Sequence, residues 1–196
     1  MKKLFKVLIL FAVALTLFAC NKKNNPTDNT NKVEEKEKTT AAAMELSDMP
    51  IDNFNFQTMD IMDGNVIKSE EFYKEKALTL VNVWGTFCGP CKEEMPDLAK
   101  LYEDYKDKVN FLGVVVDTNV SMDTNVEEAQ QIIKDSGVNY KNIMPNPTTE
   151  DTLVNITAMP TTFFVNSDGK VLGGFVGKAD KDSLAATIDK LLEKNK

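Results

Sequence analysis

Residues 78–83 are apolar except for Thr79 and Asn82, a run with the length and continuity of a strand buried on both faces. Shortly beyond it, Cys88-Gly89-Pro90-Cys91 opens a stretch to about Tyr105 in which Met95, Leu98, Leu101, Tyr102 and Tyr105 recur at helical spacing. A buried strand that delivers two cysteines to the start of an amphipathic helix restricts the chain to folds with helices packed on a sheet. Chemistry follows from the same junction. Free amides at a helix N-terminus favour negative charge, which lowers the Cys88 thiol pKa and raises its thiolate fraction. Cys91, one turn along the same helix face, is within reach of a disulfide with Cys88 or of a mixed disulfide that Cys88 holds. Gly89 lets another backbone approach, and Pro90 suits a first helical turn without an amide that needs a partner. The spacing supplies an attacking sulfur and a resolving one.

The remaining pattern alternates short strands and helices from Pro50 onward. Residues 54–59 with the Asp63-Gly64 turn predict a hairpin, and 109–116 a second buried strand closed by Asp117. Residues 126–135 read as a helix stopped by Gly137; 163–165 and 171–176 form a hairpin about the Asn166-Ser167-Asp168-Gly169 turn; 183–192 is a final helix. The expectation is an α/β domain, a mixed sheet covered on both faces.

Composition narrows the chemistry. The chain has no histidine, which removes Ser-His-Asp and Cys-His nucleophile systems and imidazole metal sites. All 23 basic residues are lysine and face 30 acids, a net charge of −7 that argues against a nucleic-acid backbone as partner. Cys88 and Cys91 could be an inert disulfide or half of a zinc site. A bridge over so short a loop removes little chain entropy, however, and a second metal-binding pair is missing. Redox chemistry is the better reading, with no metal and no cofactor beyond a Cys88–Cys91 disulfide.

The N-terminus has its own logic. Lys2, Lys3 and Lys6 precede an apolar run from Val7 to Ala19, in the order of a secretory signal and shorter than a comfortable transmembrane helix. Leu17-Phe18-Ala19-Cys20 resembles a bacterial lipobox, which implies a signal peptide over 1–19, lipidation of Cys20 and an extracytoplasmic location on the cell membrane; the alternative is an uncleaved anchor. Removing 1–19 deletes three lysines and no acids, so 20 basic and 30 acidic residues remain, or −10. Residues 20–49 are too polar to bury much surface and read as a disordered tether ahead of a domain at 50–196.

The segment Val81-Asn82-Val83-Trp84-Gly85-Thr86-Phe87-Cys88-Gly89-Pro90-Cys91-Lys92-Glu93-Glu94-Met95-Pro96 resembles the strand-to-helix signature of the thioredoxin superfamily. Together with the lipobox, the 54–56 hairpin start and an insert between Asp117 and Thr148, it is most similar to the TlpA/ResA-like, membrane-tethered thiol-disulfide oxidoreductases. That resemblance implies a thioredoxin fold with an N-terminal β-hairpin extension and a central insert. It implies Cys88 as attacking and Cys91 as resolving thiol. Ala158-Met159-Pro160-Thr161-Thr162-Phe163 resembles the segment that carries the family's cis-proline, making Pro160 the substrate-orienting residue, against the alternative of an ordinary trans loop proline. Glu94 matches a carboxylate that tunes the thiols in the ResA-like branch; the alternative is a solvated helix-face acid beside Glu93. The implied partners are a CcdA/DsbD-type membrane thiol relay as electron donor and exported disulfide proteins as substrates, such as apocytochromes c or a methionine sulfoxide reductase, with the protein a monomer.

Three departures stand out. Asn82 occupies the position of a buried Asp in thioredoxins proper, Phe87 stands where a Trp usually precedes the first cysteine, and Met159 precedes the proline. Trp84, the sole indole, is expected to pack under the active-site loop. Rival functions on the same fold are a disulfide-forming oxidant, a thiol peroxidase and a copper-binding module. The peroxidase pattern Pro-x-x-x-Thr-x-x-Cys is not matched, since Val81 stands where the proline belongs, and a copper carrier of the related family would add a histidine.

Overall fold

The computed structural model describes residues 45–119 and 125–194. The expected signal peptide over 1–19, Cys20 and residues 20–44 of the expected tether lie outside the described residues. Five strands form the main sheet: β3 (Leu78–Trp84), β4 (Val109–Val115), β5 (Lys141–Ile143), β6 (Thr161–Asn166) and β7 (Val171–Val176), in the order β5-β4-β3-β6-β7. β3 pairs parallel with β4 and antiparallel with β6, so the sheet is mixed, as expected. Every residue of β3 and β4 is buried because both faces are covered. Leu78, Leu80 and Trp84 pack with Met95, Leu98 and Leu101 of α2 (Gly89–Tyr105), Ile133 of α3 (Val126–Asp135) and Ile188 of α5 (Lys181–Lys194). Val81 and Val83 face the other way, onto Phe54, Phe56, Phe163 and the Phe72 and Tyr73 rings of α1 (Ser69–Lys74).

The expected N-terminal hairpin is present as β1 (Gln57–Met59) and β2 (Val66–Lys68), paired antiparallel. It docks on β5 through Ile61 N–H to Asn142 O, Met144 N–H to Met59 O and a two-acid ion pair of Lys141 with Asp60 and Asp63. The opposite edge of the sheet is also covered. Ser47 and Gly174 exchange backbone hydrogen bonds at 3.1 and 3.0 Å, and Val171 N–H reaches Asp52 O at 2.8 Å. Residues 46–61 thus pair with β7 at one edge and β5 at the other, which removes both free strand edges from solvent. Contacts with the sheet thus begin ahead of the expected boundary at Pro50, with Leu46 packed on the core and Ser47 paired with β7. Gly174 makes the approach possible, since a Cβ there would lie 2.8 Å from Met49 Sδ and 2.5 Å from Thr162 O.

The central insert is also more integral than expected. It carries α3, whose bounds match the sequence reading, and β5, an edge strand of the main sheet, before α4 (Pro147–Leu153). α4 is specified by its cap: Asn146 Oδ1 accepts from Thr149 N–H at 3.1 Å while Thr149 Oγ1 accepts from Asn146 N–H at 2.7 Å. The Asn146 amide also donates to Gln57 O at 2.8 Å, tying α4 to the ribbon. Asn146→Ala therefore removes the cap and the tie together and is expected to lower unfolding free energy by about 1–2 kcal/mol, read from urea denaturation midpoints.

Candidate active site

β3 ends at Trp84, and the short Gly85-Thr86-Phe87 loop places Cys88 at the N-cap of α2. Its backbone is extended, at φ −87° and ψ 100°, and its Sγ accepts the Cys91 N–H at 3.3 Å. A sulfur in that position faces an amide that would otherwise lack a partner, the environment that favours a thiolate. Cys88 and Cys91 are joined in a disulfide with Cα atoms 5.3 Å apart. The two sulfurs are unequal: Cys88 is 6% exposed and Cys91 fully buried. An incoming thiol meets Cys88 first. Gly89 and Pro90 are both exposed, and a Cβ built on Gly89 meets nothing within 4 Å, so the space before the disulfide is open.

Below the disulfide lies a polar network in an otherwise apolar core. Glu94 is 1% exposed, which sets aside the solvated-acid alternative; Glu93 is the solvated neighbour, paired with Lys178 at 2.9 Å. Glu94 Oε1 accepts from the Asn82 amide at 2.7 Å, and Oε2 from Ala179 N–H at 3.1 Å. The same Asn82 nitrogen reaches Thr162 Oγ1 at 3.1 Å on β6. Burial pushes the Glu94 carboxyl up to about 7, against the opposing pull of these hydrogen bonds and of Lys178. Sequence reasoning flagged Asn82 and Glu94 separately; the structure joins them.

The Met159–Pro160 peptide is cis, as the resemblance implies. Pro160 O accepts from Gly177 N–H at 2.8 Å, and Thr161 Oγ1 donates to Ala158 O at 2.7 Å. Met159 packs against the cluster containing Cys88, Cys91 and Trp84. It also borders a groove of about 250 Å³ with Val83, Val116, Leu153 and the exposed Val154. Trp84 is buried under the loop, its indole N–H on Asn142 Oδ1 at 3.0 Å. Asn142 fits only because residue 113 is glycine, whose Cβ would fall 1.8 Å from that oxygen.

Sequence reasoning missed the supports of the Cys88 loop. Thr86 N–H points at both Asp117 oxygens, at 3.0 and 3.1 Å, and its hydroxyl donates to Asp117 Oδ2 at 2.6 Å. Lys92 Nζ donates to Thr86 O at 2.9 Å. Asp117 marked only the end of a strand in the sequence, because a contact across 31 residues leaves no local signal.

A disulfide at the helix start, a cis-proline segment packed on the same cluster and a mixed five-stranded sheet define a thioredoxin-fold thiol-disulfide oxidoreductase. Residues 46–192 match the Redoxin family, and the chain belongs to it. It is similar to the thiol-disulfide oxidoreductase ResA of a Bacillus cereus strain, 29% identical over 139 residues that cover 70% of this chain and 75% of that one. The fold is shared with a thioredoxin-family thiol:disulfide interchange protein from Chlorobium tepidum TLS, with a TM-score of 0.61, 24% identity and coverage of 74% of this chain and 99% of the other. It is shared also with a DsbF homologue from Corynebacterium diphtheriae, with a TM-score of 0.60, 24% identity and coverage of 74% and 91%. The chain is a TlpA/ResA-like member of the thioredoxin superfamily.

Proposed function

We propose that the protein is a membrane-tethered, extracytoplasmic reductase of disulfides in exported proteins. The observation that carries this reading is the inequality of the two sulfurs: Cys88, the one that retains some exposure, caps a helix and accepts an amide, and Cys91 is fully buried. The Cys88 thiolate attacks one sulfur of a substrate disulfide, forms a mixed disulfide and expels the first substrate thiolate. Cys91, as a thiolate, then attacks Cys88 Sγ, expels the second, and leaves the enzyme oxidised as Cys88–Cys91; two electrons have passed to the substrate. Glu94, one turn beyond Cys91 and close to neutrality in its titration, is the group to take up the Cys91 proton. Met159 and Pro160 orient an extended substrate segment by their backbone edge, and open space at Gly89 and Pro90 admits it. Trp84 holds the loop from beneath.

Reductant reaches the oxidised protein from a CcdA/DsbD-type membrane relay, and lipidation of Cys20 holds the protein at that membrane. Substrates are apocytochromes c, a methionine sulfoxide reductase or similar exported thiol proteins. Equilibration with glutathione is expected to give a potential near the thioredoxin end, roughly −270 mV; a value near the roughly −120 mV of a strong oxidant overturns the reductase direction. Trapping with Cys91→Ala in intact cells is expected to recover both donor and substrate in mixed disulfides with Cys88, and an empty trap removes the exchange reading.

A further inference from the structure

Thr86 sits two residues before Cys88, and all of its polar groups are engaged. Its N–H and hydroxyl go to Asp117, at the end of β4, and its carbonyl accepts from Lys92 of α2. Asp117 is itself held. Thr118 N–H and Oγ1 close a turn onto Val115 O, and Asn125 Nδ2 donates to Asp117 O at 2.9 Å and to its Oδ2 at 3.3 Å. Val116 N–H to Trp84 O at 2.9 Å sets that turn directly across from the loop. Between Thr86 and Cys88 the loop has no apolar anchor of its own, because Phe87 is 66% exposed. Its position therefore depends on polar contacts, and the hydroxyl-to-carboxylate bond is of the short, charge-assisted kind.

We propose that Asp117 is a positioning residue for the thiol exchange, fixing the attacking sulfur in place through Thr86. The inference rests on Cys88 being that sulfur. Attack on a disulfide demands alignment, and displacement of a reacting group by about 1 Å can cost two orders of magnitude in rate. Asp117 ties the loop to the sheet and Lys92 ties it to the helix, so Cys88 is referenced to both elements that frame the site. The clamp leaves Cys88 chemically a thiol of the same kind and changes where it points.

The test measures insulin reduction by the full reduced protein at equal folded fraction. Asp117→Ala is expected to lower the second-order rate constant about tenfold and Thr86→Val severalfold, with Thr86→Ser restoring most of the Thr86→Val loss. The double variant Asp117→Ala/Thr86→Val is expected to be no slower than Asp117→Ala alone, since one clamp cannot be lost twice. A lower denaturation midpoint with rate constants unchanged would make Asp117 merely structural and overturns the proposal. If Asp117→Ala does not fold, the Thr86→Val and Thr86→Ser pair decides by the same criterion. A parent protein that fails to reduce insulin removes the proposed function instead. Amide exchange at Thr86 in the oxidised protein then decides the clamp: at least about tenfold faster exchange in the variants supports it, and unchanged exchange overturns it.

Discussion

Cys88→Ser is expected to reduce disulfide exchange by more than about a thousandfold, because a hydroxyl at the same helix start supplies almost no anionic nucleophile at neutral pH. Cys91→Ala is expected to behave differently. With Cys88 intact, the first half of the reaction proceeds: one equivalent of substrate thiol is released, and the protein stalls as a mixed disulfide that dithiothreitol reverses. The asymmetry follows from exposure, since only Cys88 can be reached from outside while Cys91 is enclosed by the α2 core. Stopped-flow release of substrate thiol, with mass spectrometry of the stalled species, checks both variants. Full turnover by Cys88→Ser, or a trapped adduct on Cys91 in that variant, would reverse the assignment of the two sulfurs.

The parts of this site legible in the sequence are those written locally. A six-residue apolar run, a Cys-Gly-Pro-Cys helix start and Met159-Pro160 each carry their signal within a few positions, and each lies where the sequence places it. α1, β5 and α4 went unread because none exceeds seven residues, too short for a period to repeat; the one local signal α4 carries, its Asn146-Pro147 start, was not read. Ser47 pairs with Gly174 through two backbone hydrogen bonds and its own hydroxyl, a contact across 127 residues that leaves no local mark in the sequence, and so the expected domain boundary falls after it. Glu94 shows the same limit from another side. Helical spacing sets Glu94 on the buried ridge of Cys91, Leu98 and Leu101 and Glu93 off it, but no local signal shows the tertiary partners that make the burial tolerable, the Asn82 amide and the Ala179 N–H.

That burial has a thermodynamic signature. The Glu94 carboxyl titrates at about 7 in the folded protein against 4.5 for its ordinary value, so between these pH values the folded state binds a proton that the unfolded state has lost. Stability must then fall as pH rises through this window. The loss is absent below about pH 4.5, complete above about pH 7, and amounts to about 3 kcal/mol. Glu94→Gln keeps the shape and removes the titration. Its amide can be accommodated: Oε1 accepts from Ala179 N–H, and Nε2 donates to Asn82 Oδ1, which has no hydrogen-bond partner in the parent, once the Asn82 amide turns over. Thr162 Oγ1 then donates to that same oxygen. Urea denaturation of oxidised parent and variant from pH 4 to 8 is expected to show curves separated by a constant at low pH. Above pH 4.5 the variant gains steadily on the parent, reaching about 3 kcal/mol more by pH 8 than the low-pH offset. A difference that stays level across the range would mean that Glu94 titrates in the folded protein as it does in the unfolded chain, its partners offsetting its burial.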